Sequence, residues 1–297
     1  MRKQQFACRP TRRVGVEELL ETARKQVDPR DPAALLALAE PLYGLAGDPA
    51  LLQRCINHSL THWRQGSSHF YSSQSCHLAS SGPFAIRINL WPLLPVDPRR
   101  RAILADVLSY YDYHDHNFSF ITANYFGPGY ETEIYSYQRG TGAIYPGQRV
   151  DLDYRGRHTL DANTVLLYEQ YRDIHMQLPP ARLSASLNLM MTPPDAGLTD
   201  QFYFDIARGR VRDYVASSSH KRVNALGFAR HIYDAQTLAL LQEILETHPC
   251  SRTRVEAARV LVDVAGASAL SPASATRMLR DPLALALWSQ AADGAGQ

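Results

Sequence analysis

Cysteine, uncompensated charge and long apolar runs are all scarce in this chain. Four cysteines occur in 297 residues, at Cys8, Cys55, Cys76 and Cys250, with no C-x-x-C spacing, so neither a disulfide framework nor a zinc ribbon organises the fold. Thirty-one Lys and Arg stand against 29 Asp and Glu, a net charge of +2. A surplus that small does not draw a polyanion to the whole surface, which argues against a general nucleic-acid binder. No stretch approaches the ~18 uninterrupted apolar residues of a membrane helix. The opening MRKQQFACRPTRR carries positive charge with no apolar run behind it, unlike a secretory leader. The expectation is a cytoplasmic protein with reduced thiols and no membrane contact. With 45% hydrophobic and 20% charged residues, and only 17 Gly and 18 Pro, disorder, collagen and coiled coil are also excluded.

What is present divides by texture into three segments. Residues 1–66 read as helical. Val16, Leu19, Leu20, Ala23 and Val27 fall at helix spacing, an Ala/Leu run from Pro32 is interrupted by Pro41, and Leu51, Leu52, Cys55, Ile56 and Trp63 form a third stripe. From 67 to 210 short aromatic and β-branched runs alternate with Gly/Pro punctuation, the pattern of a β-sandwich or barrel. In 84–91, Phe84, Ile86, Ile88 and Leu90 share one face while Arg87, Asn89 and Trp91 share the other. In 183–190, Leu183, Ala185, Leu187 and Leu189 alternate with Ser184, Ser186, Asn188 and Met190. Residues 211–297 return to helix around AQTLALLQEILETH and SRTRVEAARVLVDVAG, then a short pair near 272–290. The first two resemble one HEAT-type hairpin. A single hairpin is not a solenoid, since stacking needs about three repeats, so these helices are expected to cap the β-rich segment or to offer a surface to a protein partner.

The segment YDYHDHNFSFITANYFGPGYETEIYSY carries the sharpest chemical signal. His114 and His116 are two residues apart, and in an extended strand that spacing turns both imidazoles to one side, where they can share an ion. The third ligand must come from elsewhere. His175 follows a buried-looking strand and precedes the polar-faced one; His158, in the charged stretch YRGRH, competes for the place but reads as part of an exposed turn. Three neutral imidazoles on one metal leave coordination positions open for substrate or oxygen.

This segment resembles the first cupin motif, in which H-x-H is followed by Glu and, six residues later, by Gly. Gly127 keeps the glycine, while Phe120 stands where most cupins have the carboxylate ligand. Thiol dioxygenases, the cupin group that includes cysteine dioxygenase, are more similar, because they bind iron through three His and no carboxylate. Their motif begins H-D-H, as His114, Asp115 and His116 do, and runs through Gly to an E-T stretch like Glu131 and Thr132. Their third His lies ahead of an S-L-H-L-Y segment with a Pro pair beyond. Here His175 precedes Ser186, Leu187, Asn188, Leu189 and Met190, and Pro193 and Pro194 follow. Asn188 and Met190 depart from the His and Tyr of cysteine dioxygenase.

The likeness covers about residues 80–195. It implies a mainly β protein, with a cupin-type β-barrel (double-stranded β-helix) between helical segments. It further implies a mononuclear Fe(II) site of His114, His116 and His175, and dioxygen used on a small thiol or amino-acid-like carboxylate. Arg87 would hold that carboxylate, and Tyr135, with Tyr137 and Tyr168, would supply polar groups beside the metal. Glu131 or Glu133 would be a fourth ligand if a long hairpin returned to the ion; Glu133, with Gly140 seven positions on, repeats part of the cupin spacing. A cupin lyase, isomerase or hydrolase, or a ligand-binding barrel, are the competing classes.

Two other clusters are weaker. His58 and His62, with His69 and His77 beyond, have H-x-x-x-H spacing on a helix, but Ser59 occupies the place of the metalloprotease Glu. Arg99, Arg100 and Arg101 follow Pro98 and mark a solvated helix start.

Overall fold

Strict alternation of residues 84–91 becomes a strand with two different faces. In a computed structural model of the chain, described over residues 5–7, 12–66, 68–139 and 144–294, Ile86 and Ile88 are fully buried on one face with the N-terminal helices. Trp91 is buried on the other with aromatic residues. The chain divides into two units, Met1–Tyr137 with Asp151–Pro194, and Gln138–Val150 with Asp195–Gln297. The N-terminal helices therefore share a unit with the strands, and the main division falls at 194/195, ahead of residue 210.

The first unit runs β1 Gln5–Ala7, α1 Val16–Gln26, a 3-10 segment Pro32–Leu38, α2 Ala39–Ala46, α3 Leu51–Thr61, β2 Ser75–Ser81, β3 Phe84–Trp91, α4 Pro98–Val107, β4 Ser119–Phe126, β5 Tyr130–Tyr137, β6 Leu152–Leu160, β7 Thr164–Tyr168, β8 Asp173–Gln177 and β9 Ser184–Met191. Pro41 does not break the second helix. It falls in the first turn of α2, where a missing N–H costs nothing. Pro98 likewise opens α4, capped by the Asp97 carboxylate accepting from Arg100 N–H at 2.8 Å.

The strands form a six-stranded sheet, β1-β7-β4-β9-β3-β2, and a three-stranded sheet, β6-β5-β8, with every pairing antiparallel. Period 2 sends Ile86, Ile121, Leu167 and Leu187 toward Leu19, Leu35 and Leu42 of the helical layer. It sends Trp91, Phe120, Leu166 and Tyr168 toward Tyr130, Ile134 and Leu160 of the smaller sheet. The unit is thus helices on sheet on sheet, with two cores. Among the described residues the two sheets are separate hydrogen-bonded ladders, and a closed barrel is not shown. Strand accounts for 27% of the chain and helix for 40%, which corrects the expectation of a mainly β protein: the helical layer and the C-terminal helices outweigh the sheets.

The second unit contains β10 Phe202–Asp205 paired with β11 Arg210–Tyr214, then α5 Ser218–Phe228, α6 Ala235–Thr247, α7 Ser251–Ala265, α8 Pro272–Leu279 and α9 Pro282–Gly294. Its helices enclose a core of their own, including Leu241, Leu245, Val260, Leu261 and Met278. Cys55, Cys76 and Cys250 are buried free thiols, and Cys8 lies outside the described residues. No helix is long and apolar enough to cross a membrane among the described residues.

Candidate metal centre

His114 and His116 do not sit within a regular strand; they occupy the connection between α4 and β4. His114 makes an isolated antiparallel bridge to His175 in β8. The bridge is reciprocal: His114 N–H donates to the His175 carbonyl at 3.0 Å, and His175 N–H donates to the His114 carbonyl at 2.9 Å. His116 is fixed on the same connection by its carbonyl, which accepts from Tyr171 N–H at 3.0 Å. Between them Asp115 is wholly buried and accepts from the Tyr137 hydroxyl at 2.5 Å. With that residue anchored, the two imidazoles flanking it meet the third.

The three ring centroids form a nearly equilateral triangle with sides of 4.6 Å (His114 to His175), 5.0 Å (His114 to His116) and 5.0 Å (His116 to His175). One ring nitrogen from each lies within 4.8 Å of the others. His114 Nδ1 lies 2.9 Å from the Asp112 carbonyl. A carbonyl only accepts, so Nδ1 carries the proton and Nε2 keeps its lone pair, the arrangement that orients an imidazole ligand. His175 is 1% exposed and its Nδ1 has no hydrogen-bond partner among the described residues. Burial, reinforced by His114, His116 and Arg87, holds this imidazole well below its usual titration range, so it is neutral at pH 7 and able to donate to a cation. A buried, neutral imidazole whose ring lies against two more imidazoles fits a metal ion.

The three rings open into a cavity of about 120 Å³. Arg87, on β3, is the register partner of Asn188 on β9, and both reach the cavity from the inner face of the six-stranded sheet. Arg87 Nη1 donates to the Tyr71 hydroxyl at 3.2 Å, and its guanidinium carbon stands 5.8 Å from the centre of the Phe118 ring. Phe120 lines the cavity and stacks on Tyr168, centroids 4.6 Å apart; Tyr168 in turn meets the His175 ring edge-on at 4.3 Å. Burial raises the Tyr130 phenol to about 12, so it stays protonated. Among the described residues no Asp or Glu lines the cavity.

The other sequence candidates lie elsewhere. Tyr135 follows Ile134, the register partner of His175, and therefore projects from the opposite face of the smaller sheet. Its ring meets Tyr113 at 5.6 Å and Tyr154 at 4.9 Å. Glu131 is ion-paired with Arg157 at 2.5 Å, and Glu133 accepts from the Tyr113 hydroxyl at 2.5 Å; Gly140 lies outside the described residues. His158 belongs to strand β6 rather than to a turn, and its ring nitrogens lie 3.3 Å from Gln5 Oε1 and 3.2 Å from the Arg155 carbonyl. The His58 ring meets those of His62 and His69 at 4.3 and 4.6 Å. His62 and His69 direct Nδ1 to the carbonyls of His58 and His77, and no second trio of ligand atoms is drawn together among the described residues. Arg99, Arg100 and Arg101 are exposed on the first turn of α4. Gln74 and Gln177 also line the cavity and escaped the sequence reading. For Gln177 the signal was available: it stands two residues beyond His175 in the same strand. Gln74, in a serine-rich stretch, offered none.

No family model and no curated protein sequence matches the chain. Solved structures to which it is similar include a DMSP lyase DddQ from Ruegeria pomeroyi DSS-3, at 12% identity over 41% of this chain and 47% of that one, with a TM-score of 0.24. They also include a salicylate 1,2-dioxygenase from Pseudaminobacter salicylatoxidans, at 7% identity over 47% of this chain and 32% of that one, with a TM-score of 0.26. A third is a vicilin from Solanum melongena, at 11% identity over 44% of this chain and 32% of that one, with a TM-score of 0.25. The chain thus spans between about a third and a half of the length of these proteins, and likenesses this weak carry neither fold nor activity over to it.

Proposed function

We propose that the protein is a cupin-type mononuclear non-haem Fe(II) oxygenase that uses dioxygen on a small carboxylate substrate. The observation that carries this reading is the triangle of His114, His116 and His175, whose ligand atoms lie within 4.8 Å of one another and which all line one cavity. Those three residues would hold the ion. When bound, iron supplies an open face at which substrate and oxygen meet as neighbours rather than by collision. The chain's own residues do the rest. Arg87 receives the carboxylate through a charge-assisted hydrogen bond and fixes its direction. Trp91 and Phe120 add apolar surface to a wall that is otherwise largely polar. The protonated Tyr130 adds no negative charge beside the substrate.

A metal-dependent lyase, isomerase or hydrolase would want a carboxylate to move a proton. None lines this cavity among the described residues, and Glu131 and Glu133 are engaged on the far face of their sheet. That observation favours the oxygenase. The test is metal analysis of anaerobically purified protein followed by oxygen-electrode screening of small carboxylates. About one iron per chain with substrate-dependent oxygen uptake is expected. Protein that holds no metal overturns the reading, and turnover under strict anaerobiosis transfers it to the lyase class.

A further inference from the structure

We propose that Gln74 and Asn188 form a second recognition point beside Arg87, which selects a short carboxylate carrying a hydroxyl or oxo oxygen. This rests on the metal-dependent reading above. Three side-chain nitrogens of residues that line this cavity, Gln74 Nε2, Arg87 Nε and Asn188 Nδ2, are each buried with no hydrogen-bond partner among the described residues. Buried N–H groups are nearly always met, because leaving one unmet forfeits its hydration with nothing in return. Three around one small cavity are the outline of something that supplies acceptors.

Both residues are held by their backbones. Asn188 is 2% exposed in the middle of β9, with Arg87 as its register partner on β3 and Thr122 on β4. Packing alone does not call for an amide there. The Gln74 carbonyl accepts from Leu90 N–H at 2.8 Å, and its own N–H donates to Ser72 Oγ at 3.2 Å, tying the residue to the end of β3.

The chemistry of the lining then narrows the ligand. Arg87 takes a carboxylate. The two amide NH₂ groups take acceptor oxygens, which a hydroxy or oxo acid provides and a simple fatty acid does not. With Arg87 present, a bound cation expected and no acidic side chain on the wall, an ammonium group would find no counter-charge. A plain amino acid is therefore the poorer fit. The cavity's modest 120 Å³ suits a chain of a few carbons.

The test is calorimetric titration of the anaerobic, Fe(II)-loaded protein with four matched three-carbon acids: propanoate, 2-hydroxypropanoate, 2-oxopropanoate and alanine. The oxygenated pair is expected to bind at least about tenfold more tightly than propanoate and alanine. Chelation by the metal alone would also favour some of these acids, so the variants decide. Gln74→Ala and Asn188→Ala are each expected to shrink that preference to within about threefold, with propanoate affinity and iron content unchanged. Gln74 is half-buried and outside the regular strands, so its variant keeps the test open if Asn188→Ala does not fold. The proposal is overturned if the preference survives the substitutions, if alanine binds as well as the hydroxy acid, if propanoate affinity falls in parallel, or if none of the acids binds. Iron content separates two failures. Loaded protein that does not discriminate sinks this inference alone, whereas protein that takes up no iron sinks the metal reading and this inference with it.

Discussion

His114 and His175 exchange both backbone hydrogen bonds across a single isolated bridge, at 3.0 and 2.9 Å, while their rings approach to 4.6 Å. Residues 61 positions apart in sequence are thereby locked before any ion arrives. A preformed site of this kind avoids the ordering cost that floppy ligands incur on binding. His175→Ala and His116→Ala are each expected to drop metal content from about one ion per chain to background. Full retention in either variant, measured by elemental analysis after gel filtration, would remove that residue from the ligand set.

The connection carrying two ligands is anchored through a side chain as well. The Tyr137 hydroxyl donates to Asp115, which is wholly buried and stands between His114 and His116 in sequence. Tyr137→Phe removes a donor to a buried carboxyl group and keeps the ring's packing, so the expected loss is about 1–3 kcal/mol of folding stability. Metal affinity is expected to fall about 10-fold or more, as support for ligands is lost. Urea unfolding and competition with a chelator read the two effects separately. A variant weakened in neither would make the contact incidental.

Protonation supplies a further check. Burial, with His114, His116 and Arg87 nearby, holds His175 well below the ordinary imidazole range, whereas in the unfolded chain it titrates near 6.5. Above that value neither state binds a proton and this group leaves stability unaffected by pH. Below it the unfolded chain takes up a proton that the folded protein refuses, so stability falls as the solution is acidified. Thermal midpoints of the metal-free protein between pH 8 and 5 should be level at first and then decline. The His175→Gln variant should decline less steeply. Parallel curves for the two proteins would show that His175 titrates normally.

Much of the site was legible in advance, for a physical reason. Period-2 alternation places Arg87 and Asn188 on one face of their strands from sequence alone, and the H-x-H pair is brought together even though His114 and His116 lie in a connection, which the His114–His175 bridge holds. Tyr135 shows where the reasoning ends. Its face depends on the register of β5 against β8, and one residue of register decides whether a side chain meets His175 or Tyr154. The proportion of helix was also underread in its consequence. The N-terminal stripes of Leu19 and Leu42 were visible, but that they cover one face of a sheet, leaving the other face for the site, is a property of packing between distant segments.

The turn from the larger sheet into the smaller one is where the register of β5 is set, and glycine is required there on two grounds. Gly129 has φ of +84°, and a Cβ on it would lie 1.6 Å from the Leu160 carbonyl oxygen; Gly82, in the β2–β3 turn, has φ of +59° but open space around it. Ala at either position adopts a left-handed backbone at a cost of roughly 1–2 kcal/mol. Only at Gly129 must the β6 end also move, and β6 pairs directly with β5, which pairs with the strand carrying His175. Gly129→Ala is therefore expected to cost at least ~2 kcal/mol more than Gly82→Ala in urea unfolding, and to lower metal content in the protein that still folds. Gly82→Ala should leave metal content unchanged. Equal losses of stability from the two substitutions would mean that backbone conformation alone matters, and that the approach of Gly129 to Leu160 does not hold the small sheet in the register that delivers His175 to its partners.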